Sequence, residues 1–135
     1  LQLEKPDLYR LAEDGRTLVL RAARCGACDA LTFPISPYGC TACGAPADRV
    51  REEAMAGAAQ LLTFITIHQK LVPTITAPCV VGEARLANGA IQEIMLEGGE
   101  ERFADDMEIV AVPVELARKD GPVIGCRFVP ATEVS

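Results

Sequence analysis

Four of the six cysteines fall in two pairs with two residues between the members, Cys25-Gly26-Ala27-Cys28 and Cys40-Thr41-Ala42-Cys43. That spacing lets both thiolates of a pair meet one ion while the intervening backbone amides turn toward the sulfurs. Gly26 and Gly44 relieve crowding at the two turns. Two such knuckles on adjacent hairpins complete a tetrahedral sulfur shell and leave no open coordination position, so the expected metal is a structural zinc. Iron in a rubredoxin-like site fits the same spacing and would make the chain a small electron carrier. The bland alternatives are disulfides, which belong to secreted chains, and free cysteines packed in a core. Arg21, Arg24 and Arg49 lie close in sequence and are expected to offset the thiolate charge. Cys79 and Cys126 stand alone in apolar stretches and read as small core hydrophobes.

Outside the cysteines the chemistry is sparse. His68 is the single histidine. No motif sets a nucleophile or acid beside it, so it reads as a strand-end or interface residue and not as a general base. Phe64, four residues earlier, reads as core. Glu97, Glu100, Glu101, Asp105 and Asp106 form an acidic group in Gly-rich loop sequence, where carboxylates are ordinarily solvated. The sequence shows neither a Gly-rich phosphate loop nor a nucleophile elbow.

The elements that must hold these residues follow from periodicity and turn chemistry. Residues 3–14 are expected to form a short helix, with Pro6 in its first turn, Leu8, Leu11 and Ala12 on one face, and Gly15 as the stop. Thr17 to Arg24 is a β-capable run leading into the first knuckle. Pro34, Pro37 and Gly39 mark loop between the knuckles. Arg51 to Gln60 is expected to be a connector. Strands are then expected at Leu61–His68, Cys79–Leu86, Ile91–Leu96, Met107–Leu116 and Val123–Val129, from their Val, Ile, Thr and Phe content. Asn88-Gly89 predicts a hairpin turn in which both residues take positive φ, and Pro113 is expected at an edge or bulge. Five strands in succession suggest an OB-fold barrel. The expected fold is therefore mainly β, an N-terminal helix and rubredoxin-like zinc ribbon (1–52) followed by a five-stranded OB-fold barrel (53–135).

Composition narrows the function classes. Half of the 135 residues are hydrophobic, Trp is absent, and aromatics make up 4%, so the core must rest on Val, Ile, Leu and Ala. Apolar runs such as Ile109 to Val114 are far shorter than the roughly 20 residues that span a bilayer. Leu1 to Arg10 is charged and lacks the apolar centre of a secretion signal, so a cytoplasmic location without membrane contact is expected. A net charge of −6, with Lys and Arg scattered, disfavours a protein that grips phosphate backbones. A zinc-ribbon/OB-fold nucleic-acid module is accordingly the second reading.

The order of parts carries a further signal. Leu18-Val19-Leu20-Arg21 entering Cys25, Phe33-Pro34 between the knuckles, Cys40-Thr41-Ala42-Cys43-Gly44, the strand Thr63 to His68, and the closing Arg127-Phe128-Val129-Pro130-Ala131 together resemble the zinc-ribbon/OB-fold family that accompanies thiolase-like enzymes. The resemblance covers nearly the whole chain. It implies a non-catalytic accessory subunit in a hetero-oligomer with a thiolase-like catalytic subunit, which it stabilises while helping to shape an acyl-CoA site. On that resemblance Cys25, Cys28, Cys40 and Cys43 match the zinc ligands, CoA thioester is the ligand of the complex, and Phe64 and His68 match a strand near the partner or acyl chain. Two segments depart from the family: Ala104-Asp105-Asp106 stands where relatives often have a glycine turn, and Gln69 to Pro73 lacks an aromatic often found there.

Overall fold

The computed structural model describes residues 2–68 and 79–133. Among the described residues nine strands follow one another: β1 Tyr9–Leu11, β2 Leu18–Cys25, β3 Leu31–Thr32, β4 Val50–Ala56, β5 Ala58–Ile67, β6 Cys79–Leu86, β7 Ile91–Leu96, β8 Glu108–Leu116 and β9 Val123–Pro130. The first four make an antiparallel sheet in which β2 is flanked by β1 and β3 along one edge and β4 along the other. The last five close into a barrel in the order β5-β6-β7-β9-β8, a five-stranded Greek-key arrangement of the OB kind. Closure between β7 and β9 is slight, resting on one parallel pair, Leu96 with Phe128, and the Glu97 amide on the Phe128 carbonyl at 2.9 Å.

No helix forms over residues 3–14. Lys5 to Leu8 make a single turn, and Tyr9–Leu11 then pairs with Leu18–Leu20. Asp14-Gly15 is a hairpin turn and not a helix stop: the Asp14 carboxylate accepts from the Arg16 and Thr17 amides at 2.9 and 3.0 Å. The apolar residues are used at strand spacing, with Tyr9 buried and Leu11 exposed. Burial of Tyr9 outweighs the weak helical preference of so short a segment. The Tyr9 phenol donates to the Ile124 carbonyl and accepts from the Lys5 amide, both at 3.2 Å, tying the N-terminus to β9.

Residues 51–60 are likewise not a connector. They form most of β4 and the start of β5, fixed by buried Met55 and by cross-strand pairing with β2. At their centre lies Gly57, where an added Cβ would come within 2.3 Å of the Leu18 carbonyl oxygen. Its own carbonyl accepts from the Ala111 amide of β8 at 2.9 Å. The chain therefore passes from sheet to barrel without a linker, and the boundary expected after residue 52 falls within β4.

One core serves both parts. Tyr9, Leu18, Leu20, Ala22 and Met55 of the sheet join Leu61, Val80, Ala84, Leu96, Ile109, Ala111 and Phe128 of the barrel in a single buried cluster. The four later strands lie where the sequence puts them, and their hairpin has an Asn88-Gly89 turn. Only Gly89 takes positive φ, however. The loop is a type I turn closed by a left-handed glycine, with the Gly89 amide on the Leu86 carbonyl, which is the three-residue hairpin solution. Pro113 sits in β8 beyond the short stretch paired with β5, so among the described residues its missing N–H faces no ladder partner. Among the described residues no helix is long and apolar enough to cross a membrane.

Candidate metal centre

β2 delivers Cys25 at its C-terminal end, and the chain then makes two turns of the same design. In the first, the Cys25 amide donates to the Ala30 carbonyl and the Asp29 amide to the Cys25 carbonyl. In the second, the Cys40 amide donates to the Ala45 carbonyl and the Gly44 amide to the Cys40 carbonyl. Both turns need a left-handed residue after the second cysteine. Gly44 provides it at φ 81°, and Asp29 provides it at φ 63°, one of the few side chains that tolerate that region.

The turns aim amides at sulfur as the spacing predicts. Cys25 Sγ accepts from Ala27 and Cys28 N–H at 3.3 and 3.4 Å, and Cys40 Sγ from Ala42 and Cys43 N–H at the same distances. All four Sγ atoms lie within 4.8 Å of one another, with Cys25–Cys43 and Cys28–Cys40 each at 3.7 Å. A tetrahedral ion with metal–sulfur bonds of about 2.3 Å requires sulfurs about 3.8 Å apart. The donor set thus fits one metal ion with no position left for substrate. Cys25 and Cys40 are buried, while Cys28 and Cys43 face solvent.

The same amides, Cys28 first and Ala27 second, lower the Cys25 thiol to about 6. Cys40 is lowered too, chiefly by the Cys43 amide. At Cys28 the Ala30 amide also lowers the thiol, but the Cys43 thiol, burial and the Cys40 and Cys25 thiols outweigh it and raise Cys28 to about 12. The turns thus favour the thiolate at Cys25 and Cys40, the form in which cysteine binds a cation. Arg21 and Arg24 do not serve as the expected counter-charges. Arg21 is spent on Glu52 and Arg24 on Glu53, at 2.6 and 2.7 Å.

Two side chains of the barrel hold the loop between the knuckles. Asn88 Nδ2 donates to the Leu31 carbonyl at 2.8 Å, and Gln92 Nε2 to the Phe33 carbonyl at 3.4 Å. Sequence reasoning took Asn88 only as a turn residue and passed over Gln92, and no local pattern could have revealed either contact. Beside this seam, Leu8, Leu20, Phe33, Ile94 and Phe128 line a groove of about 260 Å³ between sheet and barrel.

The remaining candidates lie apart from the sulfurs. Phe64 is half-buried with its ring 6.2 Å from that of Phe103. His68 is exposed just beyond β5. Cys126 is half-buried, and burial raises its thiol to about 11. Cys79 is half-buried at the start of β6. The departure noted at Gln69–Pro73 lies outside the described residues. At the other departure Asp106 itself adopts φ 66°, a left-handed conformation that glycine takes readily.

Residues 12–49 match the family described as "ChsH2, rubredoxin-like zinc ribbon domain". A search of curated proteins gave no match. A solved chain titled "Ltp2-ChsH2(DUF35) aldolase" is similar over 84% of this chain and 85% of its own, at 26% identity and a TM-score of 0.62. The first match covers the ribbon and the second runs on through the barrel. By both, the chain is similar to the ChsH2/DUF35 zinc-ribbon proteins, through its ribbon in the first match and through its fold in the second.

Proposed function

We propose that this chain is a non-catalytic accessory subunit of a thiolase-type enzyme acting on a CoA thioester, in a hetero-oligomer whose catalytic residues come from the partner. The observation that carries this is the likeness, spanning ribbon and barrel together, to a chain whose title joins ChsH2 to Ltp2 in an aldolase. The metal would be zinc, held by Cys25, Cys28, Cys40 and Cys43, with a purely structural role. Phe64 and His68 would lie toward the partner or the acyl chain. The groove between sheet and barrel would supply apolar wall and exclude water from the thioester. Pro37-Tyr38-Gly39-Cys40 resembles the small subunit of benzoylsuccinyl-CoA thiolase, which makes an aromatic acyl-CoA the first substrate to try.

Co-expression with the thiolase-like or aldolase-like protein encoded beside it is the test. The expected result is co-purification, with carbon–carbon bond cleavage in a CoA thioester faster in the complex than with the catalytic subunit alone. A catalytic subunit that never binds this chain and is fully active without it would refute the proposal.

A further inference from the structure

The barrel carries an apolar row on its outer face. Ile65 of β5 stands directly opposite Val81 of β6, and Val81 directly opposite Met95 of β7. Their neighbours Val80 and Leu96 are buried, so by strand alternation the row points away from the core. Ile65 is 62% exposed. Its outward aim has a local cause: a bulge between Leu61 and Thr63 shifts the register of β5 against β6. Among the described residues, β8 pairs with β5 only at Ala58–Gln60, at the strand's start, so no described strand pairs with that edge of β5 beside the row.

The next row inward along the strands is charged, and its charges oppose one another. Glu83 and Glu93 are direct cross-strand partners. Both are exposed, and neither forms an ion pair among the described residues. Like charges directly opposite destabilise a sheet. A cation brought by another molecule would convert that repulsion into attraction.

We infer that the Ile65–Val81–Met95 row with the Glu83–Glu93 pair is a docking surface for a partner polypeptide presenting an apolar patch flanked by a lysine or arginine. The inference rests on the accessory-subunit reading and names the face by which the catalytic subunit is held.

The test compares wild type with Ile65→Asp and Glu93→Gln in the co-purified complex, using sedimentation and titration calorimetry. Circular dichroism and zinc content confirm that each variant is folded. Ile65→Asp should weaken association about a hundredfold by burying an unpaired charge. Glu93→Gln should weaken it about tenfold and reduce its salt dependence. The same Glu93→Gln change should raise the melting temperature of the isolated chain, because it removes the repulsion. Opposite signs in the two measurements distinguish docking from a structural role. A complex that forms with wild-type affinity in both variants would overturn the surface and leave the accessory reading standing. Failure of the wild-type chain to bind would remove both. Self-association of the isolated chain that Ile65→Asp abolishes would assign the face to a second copy and overturn the inference.

Discussion

Asn88→Ala tests whether the metal site and the barrel act as one unit. The Asn88 side chain makes two hydrogen bonds, donating to the Leu31 carbonyl at 2.8 Å and accepting from the Ala90 amide at 3.1 Å. Each has a net worth of about 1 kcal/mol. The Ala90 bond lies inside the β6–β7 hairpin and is lost whether or not metal is bound. The Leu31 bond depends on the loop between Cys28 and Cys40 being held by the ion. Its share, about 1 kcal/mol, should therefore appear as roughly fivefold weaker zinc binding in competition with a chromophoric chelator. The zinc-loaded variant should lose about 2 kcal/mol in all and melt about 7 °C lower. Asn88→Asp, which keeps the acceptor and loses the donor, should weaken zinc at least as much. Zinc affinity equal to wild type in both variants, despite a lower melting temperature, would refute the coupling.

Further outcomes follow from the same geometry. Cys40→Ser should lose the metal and the ribbon fold together, because ion affinity and folding free energy are one quantity at such a site; elemental analysis showing one zinc per folded variant would contradict this. Leu61→Ala, at a fully buried position, should cost about 3 kcal/mol in urea denaturation. Asp106→Gly should be neutral or stabilising and Asp106→Val destabilising by about 1–2 kcal/mol, since residue 106 holds φ 66°. Arg24 beside Glu53 holds that carboxyl below its usual range. The pair's contribution is fully present above the ordinary carboxylate pKa and lost as pH falls through the lowered folded value. The difference in melting temperature between wild type and Glu53→Gln should accordingly shrink toward zero on acidification below about pH 4.

What the sequence made legible is what depends on residues close along the chain. The knuckles were readable because a thiolate pair, its amides and its left-handed turn span only six residues, Cys25 to Ala30 and Cys40 to Ala45. The β6–β7 hairpin was readable from Asn88-Gly89, although the turn type was not, because Asn-Gly suits both the centre of a type I′ turn and the end of a type I turn closed by a left-handed glycine. The N-terminus misled for the opposite reason. Leu8, Leu11 and Ala12 fit a helix, and the competing preference for strand comes from β2, whose edge is completed only in the folded chain. Asp14-Gly15 was the available clue and was spent on a helix stop. Arg51 to Gln60 failed similarly: its Glu and Ala residues are poor strand formers, held extended by Arg21 and Arg24 from the neighbouring strand. The contacts of Asn88 and Gln92 with the ribbon loop join positions 57 and 59 residues apart, beyond any local pattern.

The absence of a linker at Gly57 has an evolutionary consequence. A ribbon that shares Leu18, Leu20 and Met55 with the barrel in one buried core cannot be cut out and grafted elsewhere, for either half would be left with a raw apolar wound. Descendants of such a chain must diversify by altering exposed faces, not by exchanging parts. The two halves are inherited together.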